Sequence, residues 1–223
     1  MYLNISHVQY YTSNITGDAM EKWDNLASKE VVEKTIAKLK ENGIEAFFVP
    51  NGEAARKKAQ ELIPKGSEVF TATSQTNDAI GLTKEINESG NYDSVRKKLN
   101  SMDSKTKGRE MRKLGAAPDV VVGSVHAITQ DGKLLIASAT GSQLPAYAYG
   151  AGKVIWVAGS QKIVSNLDDA MKRIYEHVLP LESERAKIAY GVAGSFVAKL
   201  LIINKEFQVG RMHLIIVDEK LGF

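Results

Sequence analysis

Val120-Val121-Val122 and Val154-Ile155-Trp156-Val157-Ala158 leave no polar residue for either face of a sheet. A strand with one wet face alternates apolar with polar residues, so an unbroken apolar run predicts a strand covered on both sides. Shorter apolar runs at Ile44–Val49, Val69–Ala72 and Leu214–Val217 read as further strands. Between them lie segments with helical spacing, such as Val32, Ile36 and Leu39, or Leu167, Ala170, Met171, Ile174 and Val178. Strands alternating with helices predict an α/β protein with a mostly parallel sheet and helices on both faces.

Local signals set the boundaries. The first twenty or so residues show no period and read as an N-terminal arm, with one α/β domain expected over 21–223. Gly43 is placed to end the first helix in the left-handed conformation, and Asn51 to cap a second that Pro64 closes. Thr73 to Asn77 forms a hydroxyl-rich turn from strand into helix, continuing through Ala79, Ile80, Thr83 and Ile86 to Gly90. Gln130-Asp131-Gly132 predicts a tight hairpin turn between Ala127–Thr129 and Lys133–Ala137. Ser142 to Ala148 reads as a short helix, Asn166 and Asp169 as a capping box, and the chain from Leu181 as continuing helix weakened by Gly191 and Gly194.

Composition excludes several chemistries. The 223 residues include no cysteine, which removes disulfides, thiolate metal sites, a cysteine nucleophile and iron–sulfur ligation by this chain. A net charge of +3 is too small to imply nucleic acid or a membrane as partner. No apolar run approaches the ~20 residues that span a bilayer, and the opening residues do not resemble a signal peptide, so a cytoplasmic location is expected. The basic stretch Arg96–Lys113 lacks interleaved aromatics for base stacking and suits a solvated face or an acidic protein partner.

The richest segment for function is Asp119–Asn166. No acidic residue occurs between Asp131 and Asp168, while Lys133, Lys153 and Lys162 fall inside that gap. Hydroxyls, amides and lysines without carboxylates describe a place for an anion. In parallel sheets ligands gather at the carboxyl ends of strands, and both Ser74-Gln75-Thr76 and Gly123-Ser124 follow such ends. Thr140-Gly141-Ser142-Gln143 and Lys162 complete the candidate ligand set. Each has a plainer reading: helix capping at Ser74, a glycine turn at Gly141, a solvated lysine at 162. His126 is the candidate general base, as the histidine nearest the cleft, against the commoner role of structural hydrogen-bonder. Asp131-Gly132 is better read as a hairpin than as a catalytic acid, and no residue set has metal-ligand spacing. Tyr147 and Tyr149 could line a pocket or a subunit contact, leaving a homo-oligomer open.

These residues also carry a resemblance. The segment from Gly123 to Ala186, with SQTNDAIGL upstream and RMHLIIVDEKLGF at the end, looks strongly like the LUD domain family, the lactate-utilization or DUF162 proteins. The match is specific in Ala127–Asp131, Thr140–Ser142 and Gln161–Val164. It implies a Rossmann-like fold of the NagB/RpiA/CoA-transferase group, and work in lactate oxidation beside iron–sulfur partners. Many such proteins carry a cysteine cluster before the last strand, where this chain reads KIAYGVAGSFVAKLLIINKEFQVG. The resulting expectation is a non-redox component of lactate utilization that binds an anionic small molecule, redox partner proteins or both. The alternatives are a stand-alone enzyme on a sugar-phosphate, nucleotide or acyl-CoA substrate, and a scaffold with a vestigial cleft.

Overall fold

A computed structural model describes residues 22–223, so the expected N-terminal arm lies outside the described residues. In chain order the strands are β1 (Ile44–Val49), β2 (Glu68–Thr71), β3 (Asp93–Ser94), β4 (Val120–Gly123), β5 (Ala127–Thr129), β6 (Leu134–Ser138), β7 (Lys153–Gly159), β8 (Ile163–Val164), β9 (Lys199–Ile203) and β10 (Met212–Val217). The helices are α1 (Lys29–Glu41), α2 (Gly52–Leu62), α3 (Gln75–Ala79), α4 (Leu82–Glu88), α5 (Val95–Asn100), α6 (Ser104–Ala116), α7 (Leu167–Lys172) and α8 (Leu179–Tyr190). A π-helical turn, Arg173–Val178, joins α7 to α8, and a second spans Ala146–Gly150.

Six strands form one all-parallel sheet in the order β1-β10-β7-β4-β2-β3. The unbroken apolar runs are explained by what lies on each side. Val154, Trp156 and Ala158 of β7 point into one core with Val121, while Ile155 and Val157 point into the other with Val120 and Val122. Helices α2, α3 and α4 cover the second face through Ala55, Ala59, Ile80, Leu82 and Ile86. Full burial of each valine or isoleucine here contributes on the order of 1.5–3 kcal/mol. The mostly parallel α/β sheet expected from the sequence is the observed one.

The first face is covered by α1, through Val32 and Leu39, and by a second sheet. The predicted hairpin is the centre of that sheet rather than a lone insertion: the order is β8-β5-β6-β9, with β5 and β9 both antiparallel to β6. Its turn needs Gly132, whose φ of 83° suits a residue without a Cβ and whose N–H donates to Thr129 O at 2.8 Å. Ile128, Leu134 and Ile136 face the large sheet, while Ala127 and Leu135 face Ala170 and Ile174 of the α7–α8 helix. Strand β9 corrects the expected helix beyond Leu181. Gly191, at φ 65°, stops α8, and Leu200-Leu201-Ile202-Ile203 then pairs with β6. A short apolar run carries no period to tell strand from helix. Gly81, at φ 73°, likewise divides the helix expected over Ala79–Ile86 into α3 and α4.

Candidate functional site

The large sheet places β2 beside β4, and the chain leaves these neighbours in opposite directions. From β2 it enters α3 and α4 on one face and goes on to β3; from β4 it turns to the other face, into the second sheet, and returns as β7. Diverging connections open a crevice at the carboxyl ends of the two strands, the usual ligand position in open parallel sheets. The turns Ser74–Asn77 and Gly123–His126 therefore stand on its two sides. Asn77 Nδ2 ties them by donating to Gly123 O at 3.0 Å. Ser74 Oγ caps α3 by accepting from Asn77 N at 3.2 Å, so its plain capping role is real.

Lys162 comes from the 3₁₀ turn Ser160–Lys162 after β7 and reaches under this crevice. Its Nζ lies 3.1 Å from Thr76 Oγ1, 3.1 Å from Ser124 Oγ and 3.2 Å from Val125 O, with the residue only 2% exposed. Thr76 commits its own proton to Leu221 O at 3.1 Å. Among the described residues no carboxylate lies within ion-pair distance of Lys162. Burial, reinforced by the nearby Arg173 guanidinium, lowers its pKa well below the ordinary lysine value.

Above Lys162 is a cavity of about 260 Å³. Of the residues singled out from sequence, Ser74, Gln75, Thr76, Ser124, His126, Thr140, Ser142, Gln143 and Lys162 line it together. Gly123 and Gly141 do not; they stand behind the wall. A Cβ on Gly123 would fall 1.7 Å from the Tyr147 hydroxyl, so this glycine exists to admit that ring. Gly141 packs on the Lys199 side chain, and its N–H donates to Ser138 Oγ at 2.8 Å. Lys133 and Lys153 stay away: the first pairs with Asp131 at the hairpin, and the second donates to Leu62 O at 3.0 Å.

Several wall residues were not predicted. Arg96 stacks on Phe70, 5.0 Å from the ring centroid, and donates to Thr71 O, so it is no part of a solvated basic face. Tyr147 is buried in edge contact with Trp156, and its hydroxyl has no protein partner. Tyr149, by contrast, is exposed. The expectation of carboxylate-free surroundings needs one correction, since α8 brings Glu182 to the mouth. Arg185 neutralises it with bonds of 2.7 and 2.8 Å, and the guanidinium also lies over Tyr190. Among the described residues, Arg96 and Lys162 face the cavity without a carboxylate side-chain partner.

His126 does not have the geometry of a general base. Its Nδ1 accepts from Ala137 N at 3.1 Å, which assigns the proton to Nε2. Burial, with Lys162 and Arg173 adding to it, lowers its pKa to about 3. At neutral pH the ring is thus an uncharged hydrogen-bond donor on the cavity wall. Arg173 supports it from behind through a bond to His126 O, while its own Nε and Nη2 have no protein partner; burial lowers it to about 10. No group of three or more His, Cys, Asp or Glu among the described residues could hold a metal ion, and no described helix is long and apolar enough to cross a membrane.

Fold and cavity together define an α/β protein with a polar, cation-lined cleft at the switch point of a parallel sheet. A family model, the LUD domain, matches residues 32–217, and the chain belongs to that family. The structure is similar to that of a DUF162 family protein from Deinococcus radiodurans at 12% identity and TM-score 0.51, covering 86% of this chain and 98% of that one. Ribose 5-phosphate isomerase from Plasmodium falciparum aligns over 52% of each chain at 13% identity, with a TM-score of 0.32. No curated protein matches the chain.

Proposed function

We propose that this LUD protein binds a small anionic metabolite in the β2–β4 crevice and serves lactate or related organic-acid utilization as a non-redox component. Family membership supports the tie to lactate utilization. The anion is supported by one observation above all: a buried lysine, without a carboxylate, in the floor of a cavity whose wall carries hydroxyls, His126 and Arg96 beside apolar residues such as Phe70, Ile136 and Val178. Burial without a counter-charge disfavours the ammonium form of Lys162, and a bound carboxylate or phosphate would supply the missing charge. A volume of about 260 Å³ lies just below the usual ligand-pocket range of ~300–1,000 Å³ and suits a metabolite of a few carbon atoms. Because this chain has no cysteine, thiolate-ligated redox centres in such a system would belong to partner proteins.

The test is a thermal-shift panel of L-lactate, pyruvate, phosphorylated metabolites and CoA esters, joined to growth of a deletion strain on lactate. A true ligand at ~100 times its dissociation constant stabilises the fold by roughly 2.7 kcal/mol. Silence across the panel together with normal growth on lactate would overturn the reading. A second reading, a stand-alone enzyme on a phosphorylated or acyl substrate, is favoured by the short distance between Ser124 and Lys162.

A further inference from the structure

Ser124 and Lys162 hold positions that binding alone does not require. The three Nζ neighbours, Thr76 Oγ1, Ser124 Oγ and Val125 O, satisfy an uncharged amine completely. Its two N–H bonds donate to Thr76, whose proton is already given to Leu221 O, and to the Val125 carbonyl. The third contact is to Ser124 Oγ at 3.1 Å, which accepts from the ammonium form and donates to the uncharged amine; the same hydroxyl also reaches Thr76 Oγ1 at 3.4 Å and Val125 O at 3.3 Å. Thr76 and the carbonyl thus orient the amine, and the amine orients the serine. Ser124 is partly exposed where the cavity begins, so its hydroxyl is one that a substrate can reach.

From this geometry we infer that Ser124 and Lys162 form a nucleophile–base pair that cleaves short esters or thioesters whose acyl group is anionic. Burial lowers the Lys162 pKa well below the ordinary lysine value, which favours the uncharged amine that can accept the Ser124 proton across 3.1 Å. In the step, Ser124 Oγ adds to the acyl carbon as its proton passes to Lys162 Nζ. Collapse breaks the ester or thioester bond, and the departing alcohol or thiol takes that proton. Water then adds to the acyl-serine, giving a proton to Lys162; the free acid leaves and Ser124 recovers its hydrogen. His126, whose Nε2–H is the ring's free donor, faces the same cavity and suits the developing oxyanion, while Arg96 suits the charge on the acyl group. The volume of about 260 Å³ accommodates the acyl part, with the leaving group at the mouth.

This inference rests on the cavity being the binding site, and the experiment separates the two. The whole protein is treated with a fluorophosphonate, which esterifies an activated serine and expels fluoride, and the labelled residue is found by peptide mass mapping. In parallel, inorganic phosphate binding is measured by calorimetry. The expected result is label on Ser124, slowed by phosphate and slowed as pH is lowered. Label is absent in Ser124→Ala and at least roughly 100-fold slower in Lys162→Arg, which cannot give up its proton. Ser124→Ala should keep the wild-type Tm in a thermal melt, showing that it is folded. Phosphate binding with no labelling, labelling elsewhere, or a wild-type rate indifferent to pH overturns the nucleophile–base pair and leaves the anion site standing. Neither phosphate binding nor labelling overturns both.

Discussion

Arg211 and Lys162 are both cations buried to within a few per cent of complete enclosure, and they solve that problem in opposite ways. Arg211, 4% exposed before the amino end of β10, meets the Glu206 carboxylate at 2.6 Å and three carbonyls, Ala151, Ala146 and Tyr147, at 3.0–3.1 Å. Lys162, 2% exposed beyond the carboxyl end of β7, meets hydroxyls, one carbonyl and an open cavity. The first cation is closed on itself and holds the Ala146–Ala151 turn in place. The second is left with a charge or a lone pair to offer. A buried charge with its counter-charge is architecture; one without, facing a cavity, is a site.

The largest expected effect breaks the closed cation. Arg211→Met leaves the Glu206 carboxylate without its partner and should cost roughly 3–5 kcal/mol. At 2–4 °C per kcal/mol for a chain of this size, that lowers Tm by roughly 10 °C in a thermal melt. A shift under about 3 °C would mean Glu206 finds water easily and the closed network is less enclosed than it looks.

Next comes acid. Burial lowers His126 to about 3 and His177 to about 4, so the folded state declines protons that the unfolded chain accepts below its ordinary histidine value of 6.5. Stability is therefore full above about pH 6.5 and is lost as pH falls toward 4. Each histidine should remove on the order of 2 kcal/mol between pH 6.5 and 4.5, less for the partly exposed His126. Denaturant midpoints should drop over that range, and His126→Gln with His177→Gln should flatten the drop; an unchanged slope in the double variant would refute the assignment.

A smaller effect probes the joint between the two regions, because Arg211 holds the backbone of Tyr147 whose ring backs onto Gly123 beneath the cavity. Gly123→Ala places a methyl 1.7 Å from the phenol oxygen and should cost about 1–3 kcal/mol. Adding Tyr147→Phe should recover part of it, since the methyl is then opposed by ring carbon at 2.9 Å instead of a hydroxyl. A double-mutant cycle with no coupling would show that the two do not touch.

How much of this was legible in sequence follows the range of the forces involved. β4, β7 and β10 declared themselves because burial on both faces writes an unbroken apolar run. Gly43, Asn51, Gly132 and Asn166 declared themselves because caps and turns are local. The two polar turns beyond β2 and β4 could be named because strand ends are visible before the sheet order is. β9 could not, since Leu200–Ile203 gains its identity only from pairing with β6. Arg96 counted as one of a basic run, and nothing local says that its guanidinium lies on Phe70. Glu182 and Arg185 reach the mouth only because α8 continues from the π-helical turn Arg173–Val178, which packs on the second sheet. His126 was found, but its tautomer depends on the Ala137 amide, a contact that exists only once the hairpin has formed.

The most direct measurement is calorimetric titration of inorganic phosphate into the wild-type chain and into Lys162→Met. Removing a desolvated amino group that has no carboxylate partner should leave Tm within a few degrees of wild type. Saturable phosphate binding should disappear with it. Equal binding in both proteins, or a Lys162→Met variant as unstable as Arg211→Met, would contradict the claim that Lys162 is kept for a ligand rather than for the fold.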